Sequence, residues 1–122
     1  MILVDTSVWI SFLRKDDPDL QDILKNYLKT NEVYAVSAVF GELLQGTKNQ
    51  RERNLISLLW ESLPKLEEQN TFVKGVNLSY EHALLNKGVG LIDSYILTLA
   101  VENKLALWTL DKKLASAYDA VL

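Results

Sequence analysis

The sequence predicts an α/β fold in which a central parallel sheet lies between helices on both faces. Short apolar runs, suited to buried strands, alternate along the chain with longer segments whose apolar residues recur at helical spacing. Acidic residues follow two of these runs closely. In open parallel sheets the ligand crevice lies at the carboxyl ends of the strands. We therefore expect these acids to meet in one crevice.

Three apolar runs predict the strands of this sheet. Ile2–Val4 is fully apolar, as is typical of a parallel strand that is buried on both faces. Residues 33–36 predict a second strand, and Ala106–Trp108 predicts a third. A short terminal strand is expected at residues 119–122.

The clearest helix begins at Asp17-Pro18, because Asp is a favoured helix cap and Pro is favoured at the first helical position. Its apolar residues follow the spacing of one helical face: Leu20, Ile23, Leu24, Tyr27 and Leu28.

Hydroxyl residues predict the starts of two other helices. Thr6 or Ser7 is expected to cap a helix after the first strand, and Ser37 is expected to cap a helix that ends at Gly46. Further helices are predicted over three segments: 55–63, 71–87 and 92–103.

Four acids are placed where an apolar stretch ends or a helix begins, and these are Asp5, Glu42, Asp93 and Asp111. Charged side chains are rare inside apolar segments unless something pairs with them. Glu42 in particular is expected mid-helix among apolar neighbours, where an unpaired carboxylate is costly. Four clustered carboxylates repel one another, and an oxygen-preferring divalent cation such as Mg²⁺ or Mn²⁺ relieves that repulsion.

Composition narrows the class of protein. At 122 residues, with 48% hydrophobic and 24% charged residues, the chain is predicted to form one globular domain over residues 1–122. The absence of cysteine excludes disulfides and thiolate zinc sites, and the single histidine, His82, excludes a multi-histidine centre. Any metal must therefore be held by oxygen.

Charge and hydropathy bear on the partners of the protein. No signal peptide and no apolar run of ~20 residues is visible, so we expect a cytoplasmic protein without membrane contact. The net charge of -3 argues against a bulk electrostatic grip on nucleic acid. Without the four acids, however, 13 Lys and Arg face 12 Asp and Glu, and bound cations would make the crevice more positive.

Four motifs together resemble those of PIN-domain ribonucleases, and their order and approximate spacing match over essentially the whole chain. They are Val4-Asp-Thr-Ser-Val-Trp, Gly41-Glu-Leu-Leu-Gln-Gly, Asp93-Ser-Tyr-Ile-Leu-Thr-Leu-Ala and Trp108-Thr-Leu-Asp-Lys-Lys-Leu. The size resembles especially the small VapC toxins of toxin-antitoxin pairs. The resemblance implies a PIN-like three-layer α/β/α fold, hydrolysis of RNA phosphodiester bonds by a metal-activated water, and a cognate antitoxin protein as partner.

The resemblance also implies roles for the four acids, all of which would be catalytic. Asp5, Glu42 and Asp93 are expected to be the principal ligands of Mg²⁺ or Mn²⁺, directly or through water. Asp111 is expected to hold a second or weaker ion.

Neighbouring residues are assigned supporting roles on the same basis. The hydroxyls of Thr6 and Thr109 are expected to orient ligands or water, although helix capping and ordinary strand content explain them equally well. Arg14 and Lys112 are expected to contact RNA phosphates, because the motifs beside them fix them near the crevice.

Other classes of protein fit less well. A haloacid-dehalogenase-type phosphatase needs a second Asp where Ser7 stands, and a phosphorelay receiver needs paired acids near the start and a Lys where Asp111 stands. A non-catalytic α/β interaction module, whose acidic pocket binds a basic partner segment, remains the alternative.

A homodimer is also expected. PIN-domain toxins commonly pair, and the apolar residues on the helices that follow Asp17 and Asn49 exceed what one face of a small sheet can cover.

Overall fold

A computed structural model describes residues 1–122 as a three-stranded sheet surrounded by seven helices. A short 3-10 turn, Leu85–Lys87, lies between the fifth and sixth helices. The elements in chain order are β1 (Ile2–Val4), α1 (Thr6–Arg14), α2 (Pro18–Lys29), β2 (Val33–Tyr34), α3 (Ser37–Gln45), α4 (Gln50–Ser62), α5 (Thr71–His82), α6 (Leu91–Glu102), β3 (Ala106–Trp108) and α7 (Lys112–Val121).

The sheet is parallel, as predicted, and has the strand order β2-β1-β3. Ile2 lies opposite both Val33 and Ala106, so that β1 is the central strand. All three residues of β1 are buried, which agrees with their fully apolar sequence. The α/β architecture predicted from the alternation of elements is confirmed.

The second and the terminal strand differ from prediction. β2 pairs with β1 only over Val33–Tyr34, and the next residue, Ala35, forms a parallel bridge with Lys65. The strand predicted at 119–122 is wrong, since α7 extends to Val121. Leu114 and Ala117 bury one face of α7, and helical packing therefore prevails over extended structure.

The helix start at Asp17 agrees with prediction, whereas the caps assigned to hydroxyls do not. The Asp17 carboxylate accepts from the amides of Asp19 and Leu20, at 3.1 and 3.2 Å, and Pro18 follows it as expected. The capping assignments of Thr6, Ser7 and Ser37 are wrong. α1 begins at Thr6 behind Asp5, and α3 begins at Ser37 behind Val36. These hydroxyls form other hydrogen bonds, described below.

The core lies on both sides of the sheet and is centred on α6. Seven consecutive residues of α6, from Ser94 to Ala100, are buried, as expected for a helix packed against a sheet. The largest buried cluster includes Trp9 and Phe40, whose ring centroids are 5.5 Å apart in an edge-to-face arrangement. No helix combines the length and the apolar character that crossing a bilayer requires.

Two glycines within helices allow the effect of helix propensity on stability to be distinguished from the effect of packing. A Cβ at Gly75 of α5 would lie 3.3 Å from backbone atoms of Ser94 and Tyr95 in α6, whereas a Cβ at Gly41 of α3 would have nothing within 4 Å. We predict that Gly41→Ala raises the free energy of unfolding by about 1 kcal/mol, because alanine favours helix.

Gly75→Ala should lower the free energy of unfolding by about 1 kcal/mol, since overpacking a helix interface outweighs the same gain in propensity. Urea unfolding of both variants measures the difference. Equal stabilisation by the two substitutions would contradict the close approach of α5 to α6.

Candidate active site

The four predicted acids are brought to one edge of the sheet. Asp5 directly follows β1, Asp111 precedes α7 just beyond β3, Asp93 lies in the first turn of α6, and Glu42 lies on α3. Burial and then the negative charges of Asp5, Asp111 and Glu42 raise the pKa of Asp93 from 3.8 to about 6. The fold therefore places the other three acids within electrostatic range of Asp93.

Asp5 is the most buried of the four acids, with 5% of its surface exposed. Its Oδ2 accepts hydrogen bonds from Thr109 Oγ1 at 2.7 Å and from Ser7 Oγ at 2.8 Å. Its backbone N–H donates to the carbonyl of Trp108 at 2.9 Å, which continues the pairing of β1 with β3. A buried carboxylate needs such donors, and here they also fix its orientation.

Asp111 forms the N-cap of α7. Its Oδ1 accepts from the amides of Lys113 and Leu114, at 2.8 and 3.3 Å, and its own N–H donates to Thr109 Oγ1 at 3.0 Å. Its other carboxylate oxygen makes no hydrogen bond within the protein. Asp111 thus anchors a helix with one oxygen and leaves the second available.

Glu42 differs from the sequence-based expectation. α3 buries Val39, Phe40 and Leu43 and turns Glu42 outward, so its carboxylate is exposed rather than held among apolar neighbours. Glu42 Oε1 accepts from Thr6 Oγ1 at 2.7 Å. The prediction that the Glu42 carboxylate lies among apolar side chains is therefore wrong. The carboxylate does lie beside the other acids.

Thr6 and Thr109 each donate a hydrogen bond to one of the acids, to Glu42 and to Asp5 respectively. This is the geometry that the predicted orienting role requires. Asp93 is different, because no hydroxyl or amide of the protein donates to its carboxylate. It is the least satisfied acid of the group.

Ser7 is a site residue that was assigned only a capping role. Its hydroxyl donates to Asp5 and accepts from the N–H of Leu110 at 3.0 Å, which joins the start of α1 to the loop after β3. The signal in the sequence was a hydroxyl shortly after an acid that ends a strand. Leu110, whose N–H donates to the Ser7 hydroxyl, is distant in sequence and could not be identified from spacing.

The donor set suits an oxygen-preferring divalent cation, because all four side chains are carboxylates. No group of three or more Asp, Glu or His side chains lies close enough together to surround one ion directly. Mg²⁺ keeps several waters and takes one or two carboxylates directly, so direct contact with all four acids is not required.

The two predicted phosphate contacts lie on the surface. Arg14 ends α1, and Lys112 begins α7 next to Asp111; both side chains are exposed. The one salt bridge of the protein joins Lys74 to Glu102, so neither cation is paired with a carboxylate.

A groove of about 410 Å³ lies between α1, α3 and α4. Glu42 lines it, so the groove reaches the group of four acids, and Arg14 and Lys48 also contribute to its walls. Its apolar lining consists of Ile10, Leu13, Leu43, Leu55 and Ile56.

Comparison with known proteins identifies relatives over nearly the whole chain. The sequence model of the PIN domain family matches residues 2–120. Ribonuclease VapC32 from two strains of Mycobacterium tuberculosis, CDC 1551 / Oshkosh and ATCC 25618 / H37Rv, is 32% identical over 120 residues, which are 96% of this chain and 90% of the relative.

A solved structure has the same fold. A chain of FitAcB from Neisseria gonorrhoeae superposes with a TM-score of 0.64 at 21% identity, covering 98% of this chain and 94% of that one.

The raised pKa of Asp93 predicts a pH-dependent stability. Between pH 3.8 and about 6, the folded metal-free protein keeps a proton at Asp93 that the unfolded chain releases. The free energy of unfolding therefore falls as pH rises toward about 6 and stays low above it. Asp93→Asn mimics the neutral form. Its melting temperature should exceed that of the wild type above about pH 6.5 and approach it near pH 4.

The measurement is thermal unfolding of both proteins in chelator across this pH range. A difference that stays constant with pH would contradict the raised pKa of Asp93.

Proposed function

The chain belongs to the PIN-domain family, and on that premise we propose that it is a Mg²⁺- or Mn²⁺-dependent endoribonuclease acting as the toxin of a toxin-antitoxin pair. The observation that carries the proposal is the group of four acids, in which burial and then the charges of Asp5, Asp111 and Glu42 raise the pKa of Asp93. A group of carboxylates that repel one another is suited to binding a cation. Similarity to a ribonuclease of 32% identity supports RNA as the substrate.

We assign the four acids as ligands, with Asp93 first because it has no hydrogen-bond donor in the protein. Thr109 and Ser7 hold Asp5, and Thr6 holds Glu42, so the chain presets the orientation of these carboxylates. When bound, the cation supplies an activated water and neutralises charge that develops on the phosphate.

RNA is assigned to the exposed cations at the rim of the site. Arg14, the last residue of α1, and Lys112, the first residue of α7, form no salt bridge with a carboxylate. Contacts of Lys and Arg to phosphate position the substrate without reading its sequence.

Substitution of the acids tests the mechanism. Asp5→Ala, Glu42→Ala and Asp93→Asn should each reduce Mn²⁺-dependent cleavage of RNA by at least about 100-fold, because each removes a ligand. Asp111→Asn should have a smaller effect, and it retains the α7 cap because Asn also caps helices. The rate of cleavage is measured on a labelled RNA, with EDTA as control.

Circular dichroism should show that these variants remain folded. Full activity of Asp93→Asn, or cleavage that persists in EDTA, would overturn the metal mechanism. Absence of nuclease activity in the wild type would instead favour the non-catalytic interaction module.

The antitoxin is assigned to the groove between α1, α3 and α4. Its apolar lining suits a hydrophobic partner segment, and Glu42 at its wall lets a partner Arg or Lys reach the acids. A guanidinium there would compete with the cation, which explains how binding in an apolar groove would silence the enzyme.

Two leucines on α4 provide a matched test of this assignment. Leu55 is 50% exposed and lines the groove, whereas Leu58 is 63% exposed and does not. We predict that Leu55→Glu weakens antitoxin binding at least about tenfold by placing a charge against an apolar partner, and that Leu58→Glu has little effect.

Affinity is measured by calorimetry with the antitoxin encoded beside the gene. RNA cleavage by both variants should equal that of the wild type. Equal affinity of the two variants for the antitoxin would contradict the groove assignment.

A homodimer is also proposed, on a revised surface. Of the two helices predicted to supply the apolar surface, α2 buries Leu20 and Leu24 and leaves Ile23 half-exposed, whereas α4 exposes Leu55 and Leu58. α5 carries more, with four exposed apolar side chains at helical spacing: Phe72, Val73, Val76 and Tyr80. This face supports pairing better than α2 does.

A further inference from the structure

A fifth carboxylate, outside the group of four, joins the two helices that carry Glu42 and Asp93. Glu68 lies in the segment between α4 and α5. Its Oε1 accepts hydrogen bonds from Tyr95 Oη of α6 and from Ser37 Oγ of α3, each at 2.5 Å. Its Oε2 accepts from the backbone N–H of Ser37 at 3.0 Å.

The backbone brings Glu68 to this position. The N–H of Ala35 donates to the carbonyl of Pro64 at 2.8 Å, and Ala35 and Lys65 form a parallel bridge. The segment that follows α4 is thereby drawn along the end of β2, immediately before α3 begins.

Glu68 serves as the missing cap of α3. The residue at the N-cap position is Val36, which has no side-chain acceptor, and Ser37 is the first helical residue. A carboxylate that accepts from the first-turn amide satisfies an otherwise unpaired donor and interacts favourably with the helix dipole. Hydrogen bonds to a charged acceptor are also stronger than neutral ones.

The same carboxylate fixes α3 relative to α6. Glu42 lies little more than one turn beyond Ser37 on α3, and Asp93 lies two residues before Tyr95 on α6. Glu68 is the one side chain that accepts hydrogen bonds from both helices. Loss of Glu68 would remove these hydrogen bonds and leave the direct contact of 3.4 Å between Ser37 Oγ and Tyr95 Oη, while the four acids themselves stay unchanged.

We propose that Glu68 is a positioning residue, which holds α3 against α6 so that Glu42 and Asp93 stay in place to bind one cation. The proposal rests on the nuclease function proposed above. It assigns Glu68 no contact with the cation or with RNA.

The test compares Glu68→Ala with Glu67→Ala. Glu67 is the exposed neighbour of Glu68, and its side chain makes no hydrogen bond. Mn²⁺ binding to each protein is measured by calorimetry, well below the melting temperature. Glu68→Ala should weaken Mn²⁺ binding about tenfold, as is typical when a group that orients metal ligands is lost, and Glu67→Ala should not.

Two further readouts separate positioning from general stability. Hydrogen exchange at the first amides of α3 should accelerate in Glu68→Ala alone. In cleavage assays at fixed Mn²⁺, Glu68→Ala should lower kcat and leave the KM for RNA unchanged. Glu68→Gln should be intermediate, because its remaining oxygen can accept from only part of the donor set.

Tyr95→Phe removes the α6 branch of the network alone. It should weaken Mn²⁺ binding by itself and add nothing to Glu68→Ala, because the two substitutions break the same link. Should Glu68→Ala fail to fold, Glu68→Gln and Tyr95→Phe provide the same comparison.

A folded Glu68→Ala that binds Mn²⁺ as tightly as Glu67→Ala would overturn the proposal, even if its melting temperature falls. A wild type that binds Mn²⁺ and cuts RNA, with an unaffected Glu68→Ala, defeats this inference alone. A wild type that neither binds Mn²⁺ nor cuts RNA defeats the nuclease function and this inference together.

Discussion

Repulsion between four carboxylates at one edge of a small sheet is the constraint around which the local structure is arranged. Three of the acids are stabilised by donors from the protein: hydroxyls for Asp5 and Glu42, and helix amides for Asp111. Asp93 receives no such donor, and its pKa is raised to about 6. Burial raises this pKa most, and the charges of Asp5, Asp111 and Glu42 raise it further, so a cation would stabilise the charged form of Asp93 in particular.

The fold produces this arrangement from short elements. β1 is the central strand, so the residue after it, Asp5, lies between the ends of the other two strands. Thr109, just beyond β3, reaches Asp5 across a sheet edge that the pairing of Asp5 with Trp108 keeps in register. Orientation of the acids therefore depends on hydroxyls that belong to different elements, and Glu68 extends the same principle to the packing of α3 against α6.

Features that depend on local pattern could be predicted from the sequence, and features that depend on distant partners could not. The parallel sheet, the Asp17 cap and the positions of the acids follow from apolar periodicity and from residue preferences. The sequence could not show that Glu42 faces solvent, because its neighbours are apolar on more than one side of α3. Nor could it show the contacts of Ser37 with Glu68, since these residues are 31 apart in the chain and local preferences assigned Ser37 a capping role.

We infer that one or more divalent cations bind to the group of four acids, Asp5, Glu42, Asp93 and Asp111. Paramagnetic broadening by Mn²⁺ in amide NMR spectra of the uniformly labelled protein tests this most directly, because the loss of signal falls steeply with distance from the ion. Selective loss of the amide signals around these four residues is expected at low Mn²⁺, with signals retained at the opposite edge of the sheet, where Glu32 precedes β2. Broadening centred elsewhere, or none until Mn²⁺ is in large excess, would contradict it.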